Sequence, residues 1–318
     1  MPFLSGIIKE EIPSLRLDRY VSEYLRLLSR SQIKARNLKV KINGKDVKLS
    51  RLIKHGDNFE LLWDDFPPEN IIPQDIPLDI VYEDENCAVI NKVQGMVVHP
   101  GAGNRQGTLA NALYFRRLNM KSAPITESGI NAQDISANSA RAGIVHRLDK
   151  DTSGIIIAAY NDDTHAFLSR QFKERKVRKI YIAIVQGTPK ENSGRISTFI
   201  ARDLKDRRRF MVSANGKNAV TIFKVIKRWL KHSLVLLSPR TGRTHQLRVH
   251  MRHIGHPILG DPVYGNADNY FPEAGLMLHS KSLAITLFGE TERRVFSSMI
   301  PRRFYAVMEK LNRMNEHG

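Results

Sequence analysis

From Leu78 onward the chain alternates short apolar runs with turn residues: DIVYED, CAVINK, GMVVHP, IVHRLD, GIIIAAY, KIYIAIVQG, AVTIFKVI and SLVLLS. Short β-branched and apolar runs bounded by Gly, Pro, Asn and Asp read as strands. Few stretches carry helical spacing, the clearest being Asp163 to Arg175. The pattern predicts an α+β domain, a mixed and mainly antiparallel sheet with peripheral helices. Ser122 to Ser139 is polar, interrupted by proline and without period, and is expected to be a mobile surface insertion.

A smaller unit precedes this domain. Leu17, Tyr20, Val21, Tyr24 and Leu25 recur at helical spacing, and Ser29 with Gln32 gives a capping box for a second short helix. Two strands follow, KVKI and KDVKL, joined at Asn43-Gly44, a dipeptide that accepts the positive φ angles of a tight hairpin. The stretch from Asp64 to Asn70 and the IIPQDIP after it carry prolines, which block helix and ladder alike. The expected organisation is a module over 1–66, a linker over 67–77 and a larger domain over 78–318.

Charge narrows the partners. Fifty Lys and Arg against 32 Asp and Glu give a formal net charge of +18 over 318 residues, and such an excess draws polyanions, nucleic acid first. Arg30, Lys34, Arg36, Lys39, Lys41, Lys45 and Lys48 crowd onto the small module. A run of exposed lysines is commonly a solvated face, but clustering on one module favours phosphate contact. No apolar run is long enough to span a bilayer, and the N-terminal residues lack a basic region followed by an apolar core, so a soluble cytoplasmic protein is expected. The single cysteine, Cys87, rules out an intrachain disulfide and reads as buried packing.

Chemistry concentrates in three places. The first is GIVHRLDKDTSG, Gly143 to Gly154, which sets Asp149 and Asp151 among His146, Arg147 and Lys150 between apolar runs. A carboxylate fenced by these groups at a strand end would stay ionised and positioned, as a nucleophile or base requires. Asp, Thr, Ser and Gly also shape turns. Asp151 reads as such a turn former, and for Asp149 both readings stand. The second is Ser238 to Gly265, where Thr244 would cap a helix with Leu247, Met251 and Ile254 buried and Gly255 at its end. Gln246, Arg248, His250 and Arg252 would then form a polar edge away from the core, with Arg243 and Arg248 suited to grip a carboxylate or phosphate. Histidines 245, 250, 253 and 256 invite a metal, but their spacing lacks an HExxH arrangement and no cysteine is near, so no metal site is expected. The third is KERKVRKIYIAIVQG, in which Tyr181 alternates with Ile180 and Ile182 on a strand expected to be buried on both faces; by itself this tyrosine reads as a core aromatic.

The small module, with RLDRY, SRSQI, VKING and Gly56-Asp57, resembles an S-four type RNA-binding module, except that Asn37-Leu38 stands where glycine is usual, so its helix exit would place Asn in the left-handed region. The whole chain resembles the RluA family of pseudouridine synthases, and within it the branch acting on large-subunit (23S) ribosomal RNA. That likeness rests on INKVQGMVVHPGAG, RAGIVHRLDKDTSG, KIYIAIVQG, GRTHQLRVHM and HPILGDPVYG, met in family order. It implies a pseudouridine synthase catalytic domain that isomerises uridine with an aspartate nucleophile and no cofactor, working as a monomer on ribosomal RNA or a pre-ribosomal particle; a competing route has the same carboxylate remove a proton from the sugar's 2′ carbon to give a glycal. By this resemblance Asp149 is the catalytic aspartate, Tyr181 the active-site tyrosine and Arg248 the basic residue of the third motif. Arg147 would lie against displaced RNA, with Arg30, Lys34, Arg36, Lys39, Arg243 and Gln246 as further RNA contacts. Two other readings compete: a ribosome-assembly factor that binds RNA without catalysis, and a glycoside hydrolase, which would want a second carboxylate further away than Asp151.

Overall fold

The computed structural model describes residues 3–9, 15–25, 27–28, 33, 36–64, 71–101, 103–120, 143–206 and 208–316. They fall into two compact units, Met1–Asn70 and Ile71–Gly318. Arg30, Lys34, the predicted Ser29/Gln32 capping box and the 122–139 insertion lie outside the described residues.

In the first unit, β1 (Phe3–Ile7), β2 (Leu15–Arg16), a short α1 (Leu17–Arg19) continuing as a π-helical turn Tyr20–Tyr24, β3 (Lys39–Ile42), β4 (Lys45–Asp46), β5 (Leu52–Ile53) and β6 (Asn58–Leu62) follow in order. One sheet runs β1-β6-β3-β4, and β2 pairs with β5. The helical stripe is right for Leu17, Tyr20 and Val21, which are buried, whereas Tyr24 is exposed. Asn43 and Gly44 both take positive φ, 52° and 74°, as the hairpin demands, and Asn37 at 48° supplies the left-handed exit expected of it. Lys39, Lys41, Lys45 and Lys48 all face solvent, giving the hairpin a cationic surface.

The second unit holds β7 (Ile80–Glu83), β8 (Cys87–Lys92), α2 (Leu109–Met120), β9 (Ser153–Ala159), α3 (Asp162–Lys173), β10 (Arg178–Gln186), β11 (Ser193–Arg202), β12 (Phe210–Val212), β13 (Lys217–Arg228), β14 (His232–Pro239), α4 (Gln246–His253), β15 (Leu278–Thr286), β16 (Arg293–Ser297) and α5 (Arg302–Glu316). A ten-stranded sheet runs β12-β11-β13-β14-β10-β15-β9-β8-β7, with β16 on β15. Among the described strands only β9 and β15 pair in parallel. The α+β class with a mainly antiparallel sheet therefore holds. No described helix is long and apolar enough to cross a membrane.

Two predicted strands are loops. GMVVHP instead receives the first amides of α2, Leu109 N–H on Val97 O and Ala110 N–H on Val98 O. IVHRLD keeps a single bridge, Ile144 to Ala158. The expected linker is also shorter: Ile71 is buried with Ala110, and Asn111 Nδ2 donates to Ile72 O at 2.8 Å, so 71–77 is anchored on the second unit. Cys87 is buried, and burial pushes its thiol up to about 12.

Every residue of β9 is buried. Ile156 and Ala158 pack on one face of the sheet with residues of α2, α4 and α5. Ile155 and Ile157 pack on the other with Leu168 of α3. A strand covered on both faces reads as an unbroken apolar run, which is why GIIIAAY shows no alternation. Its first turn of chain is tight: Gly154 has φ of 110°, and a Cβ there would collide with the backbone of Ser280 across the parallel seam. Gly154→Ala is therefore expected to destabilise the domain by roughly 2–4 kcal/mol in denaturant unfolding; a loss below about 0.5 kcal/mol would show that the seam yields easily.

Candidate active site

The loop 143–152 leads into β9 and is held from behind. Thr152 N–H closes a turn on Asp149 O at 3.1 Å, and Gly95 N–H bonds Lys150 O at 3.0 Å. Lys92, 1% exposed, donates to three carbonyls, Val93 O at 2.9 Å, Met96 O at 2.8 Å and Lys150 O at 3.0 Å. Burial lowers its pKa to about 8, against the pull of Asp151 and Asp149. The bond to Lys150 O ties the carboxylate-bearing loop to the end of β8, and the other two fix the ammonium on the 93–96 turn.

Asp149 does not meet the basic fence expected from its sequence neighbours. Arg147 and Lys150 are exposed. His146 turns the other way, its Nε2 accepting Ile157 N–H at 3.0 Å while the ring stacks on Phe172 at 4.4 Å. Burial, aided by the charge of Lys179, holds this imidazole down to about 3, so it is neutral. The fence comes instead from α4 and the residue before it. Arg248 Nη1 lies 3.4 Å from Asp149 Oδ2, and His245 Nε2 lies 4.0 Å from the same oxygen.

Arg248 is itself buried and locked. Its Nε and Nη2 donate to the two oxygens of Asp261 at 2.8 and 2.7 Å. Asp261 Oδ1 further accepts Val263 N–H at 2.9 Å and Tyr264 N–H at 3.0 Å. Burial works against the Arg248 charge, but the bonds and charge of Asp261, with Asp149 beyond, outweigh it and raise its pKa. Burial likewise opposes the Asp261 charge, and the guanidinium and two amides bring its pKa below the ordinary value. A fork fixed on one carboxylate has a single edge left for another.

Two more groups converge. His245 has φ of 55°, left-handed for a residue with a side chain, and its Nδ1 lies 2.8 Å from the Tyr264 hydroxyl. That hydroxyl oxygen accepts Phe210 N–H at 2.8 Å. Tyr181 is buried on β10 and is pushed up to about 12, chiefly by burial, with Asp149 adding to the rise. From Tyr181 to Val185 the strand is buried on both faces as expected, whereas Ile180 before it is exposed. Asp149, Tyr181, Arg248 and His245 all line one cavity of about 570 Å³, together with Arg147, Lys179 and Arg243. Three separate sequence clusters thus meet in one place.

Several expectations for the α4 region fail. Thr244 is exposed, and the helix starts at His245 without a side-chain cap. Gln246 is buried and fully engaged, accepting Thr241 Oγ1–H at 2.7 Å and Arg243 N–H at 3.0 Å and donating to Val220 O and Thr221 Oγ1, both at 3.0 Å. Its amide shapes the 241–246 turn and has no group to spare for RNA. His250 is buried between Thr221 Oγ1 at 2.8 Å and Thr198 Oγ1 at 3.0 Å. The edge predicted to face away from the core is therefore largely inside; fully bonded polar groups can be buried at little cost, and periodicity alone misplaces them. Arg252 does stay exposed, and Gly255 ends the helix at φ of 82°. Among the described residues no three His, Cys, Asp or Glu side chains gather as a metal cluster would require. Arg243 is half-buried on the cavity wall with Nε on Asn218 O at 3.0 Å, while Arg36 and Lys39 belong to the first unit.

Asp261, Tyr264, Lys92 and Lys179 carry no pattern that marks them, and His245 stood out only as one of four closely spaced histidines. Asp261 stands 13 residues from Arg248 in a turn, a spacing no helix or strand period marks, and Lys92 reads as an ordinary strand-end lysine.

The similarities of the chain agree with this geometry. A family profile described as RNA pseudouridylate synthase matches residues 86–253. A Borreliella burgdorferi protein named ribosomal large subunit pseudouridine synthase D is 41% identical over 310 residues, 95% of this chain and 91% of that one. An Aquifex aeolicus RNA pseudouridine synthase is 41% identical over 268 residues, covering 83% and 81% of the two chains. Among solved structures, human RNA pseudouridylate synthase domain containing 4 superposes with a TM-score of 0.56 at 26% identity, over 73% of this chain and 92% of that one. The profile spans the Asp149 loop, Tyr181 and Arg248, and the chain belongs to the RluA family of RNA pseudouridine synthases, which are isomerases.

Proposed function

We propose that the cavity isomerises uridines of large-subunit ribosomal RNA, with Asp149 as the nucleophile. The observation that carries this is the carboxylate of Asp149, 3.4 Å from a buried guanidinium that is already fixed on Asp261, beside Tyr181 in a cationic cavity. The relatives named for large-subunit synthases supply the substrate class.

Uridine and pseudouridine are isomers, so no atom needs to enter or leave apart from a proton exchanged with solvent. Asp149 attacks C1′ as the bond to N1 breaks, and the base leaves with its electron pair. The uracil turns within the cavity and C5 bonds C1′ as the ester to Asp149 opens. A proton then leaves C5, and N1 ends protonated. One ionised carboxylate meets the charge that develops on the sugar. Arg248 and His245 hold that carboxylate in line, and Tyr181 walls the space in which the base turns. Its hydroxyl, raised to about 12, stays protonated at neutral pH. The target uridine must leave its stack, at a cost of about a few kcal/mol that is least in loops. Phosphate contacts from Arg147 and Arg243 at the cavity, and from Arg30, Lys34, Arg36 and Lys39 on the first unit, offset it. The first unit acts as the S-four type RNA-binding module.

Asp149→Asn is expected to lower pseudouridine formation on 23S rRNA fragments about a thousandfold or more while leaving RNA affinity within a few-fold. Pseudouridine mapping in rRNA from cells lacking the protein identifies the sites, and a mutant with near-normal turnover at those sites would overturn the assignment. Removing residues 1–70 is expected to leave a folded catalytic unit by circular dichroism and to make log affinity against log salt shallower, by roughly 0.7–0.9 for each phosphate that the shortened protein no longer neutralises. Equal slopes for the two proteins would mean that the first unit does not touch RNA.

A further inference from the structure

Seven cations line the cavity, Arg147, Lys173, Arg175, Lys179, Arg240, Arg243 and Arg248, against a single carboxylate, Asp149. Their situations differ. Arg248 is saturated by Asp261 and Asp149, Arg243 bonds a carbonyl, and Arg147, Lys173, Arg175 and Arg240 stand in solvent. Lys179 is the exception. It lies two residues before Tyr181 on β10, partly buried in the cavity wall. Among the described residues its ammonium has neither an ion pair nor a hydrogen bond. Its neighbours are the Phe172 ring, 6.0 Å away, and Gly242, where even an added Cβ would stand 3.8 Å from Nζ. Asp149 is turned toward Arg248 and His245 and does not serve it.

A cation withdrawn from water without an anion costs free energy unless a ligand supplies one. Burial lowers its pKa, as it must for a charge left uncompensated. Beside it, Phe172 and the neutral ring of His146 stack at 4.4 Å and 20°, a flat surface of the kind on which a sugar or base rests. Lysine acts on phosphate as a compact point charge, and glycine at 242 leaves the approach open.

We propose that Lys179 binds the phosphodiester adjoining the isomerised uridine, with the neighbouring nucleotide against Phe172 and His146. This rests on the reading of the cavity as a uridine site. Lys179 is then a substrate-binding residue that fixes how far the strand enters, distinct from the carboxylate that reacts.

The test uses the full chain and synthetic stem-loops around a mapped uridine. A single uncharged methylphosphonate replaces the phosphate on the 5′ or the 3′ side of that uridine. Each has a 2′-deoxy sugar on its 5′ side and is compared with the same deoxy sugar carrying an ordinary phosphate. Lys179→Gln should weaken binding of the ordinary stem-loop about ten- to a hundredfold, and Lys179→Arg should restore most of it. One of the two methylphosphonates should weaken wild-type binding by a similar factor and leave Lys179→Gln unaffected. The thermal midpoint of Lys179→Gln should be unchanged or higher, because an unpaired charge has been removed. Equal penalties for wild type and Lys179→Gln at both positions, or weakened binding accompanied by a lowered midpoint, would overturn the phosphate assignment. Wild type that forms no pseudouridine in the unmodified stem-loop would overturn the uridine reading itself, whereas active wild type without coupling sinks only the role of Lys179.

Discussion

The site depends on the pairing of Arg248 with Asp261. Both side chains are withdrawn from water, and each is bearable there only because the other is present. Asp261 fills its capacity with two guanidinium bonds and the amides of Val263 and Tyr264. Removing one member of such a buried pair leaves a stranded charge, worth about 3–5 kcal/mol. The pairing therefore ties α4 to the 261–264 turn, and by geometry it leaves Nη1 as the guanidinium edge for Asp149. A carboxylate held that way keeps its aim, which the proposed nucleophile requires and a turn former does not.

The sheet makes this aim durable. Asp149 sits on a loop, where catalytic groups are commonly found and where mobility is greatest. Here the loop is bound to β8 through Lys92 and runs straight into β9, the strand buried on both faces. Tyr181 comes from β10, which pairs with β15, the parallel neighbour of β9. The two sides of the cavity thus belong to one hydrogen-bonded frame. His245 brings in a third, since its ring is held by Tyr264, and that hydroxyl also receives the amide of Phe210 on β12.

What could be read beforehand follows from the range of the forces involved. Period-two and continuous apolar runs located β7 to β10, β13 and β14, and Asn43-Gly44 located the hairpin, because those signals are local. IVHRLD has the composition of a strand but becomes a loop, since His146 and not a neighbouring strand takes the Ile157 amide. The family resemblance carried by the three motif clusters, and not their residue patterns, named Asp149, Tyr181 and Arg248 together, and they do share one cavity. Their mutual orientation was not legible. It is set by contacts across 99 residues for Arg248 and Asp149 and by Asp261, which no periodicity marks. The fence expected from His146, Arg147 and Lys150 was an inference from sequence adjacency, and neighbouring side chains on a loop point apart. Gln246 and His250 were misassigned for a related reason: hydrogen bonds to Thr221 and Thr198, distant in the chain, and to Thr241 in the adjoining turn make their burial tolerable.

The central claim is that Asp261 acts on the reaction through Arg248, by aiming it at Asp149. Single-turnover kinetics of folded Asp261→Asn at saturating RNA, at a temperature where circular dichroism shows no unfolded fraction, tests this most directly. A loosened guanidinium predicts a chemical step slowed about ten- to a hundredfold or more with RNA affinity within a few-fold of wild type. A chemical step at the wild-type rate in that folded variant would contradict the account.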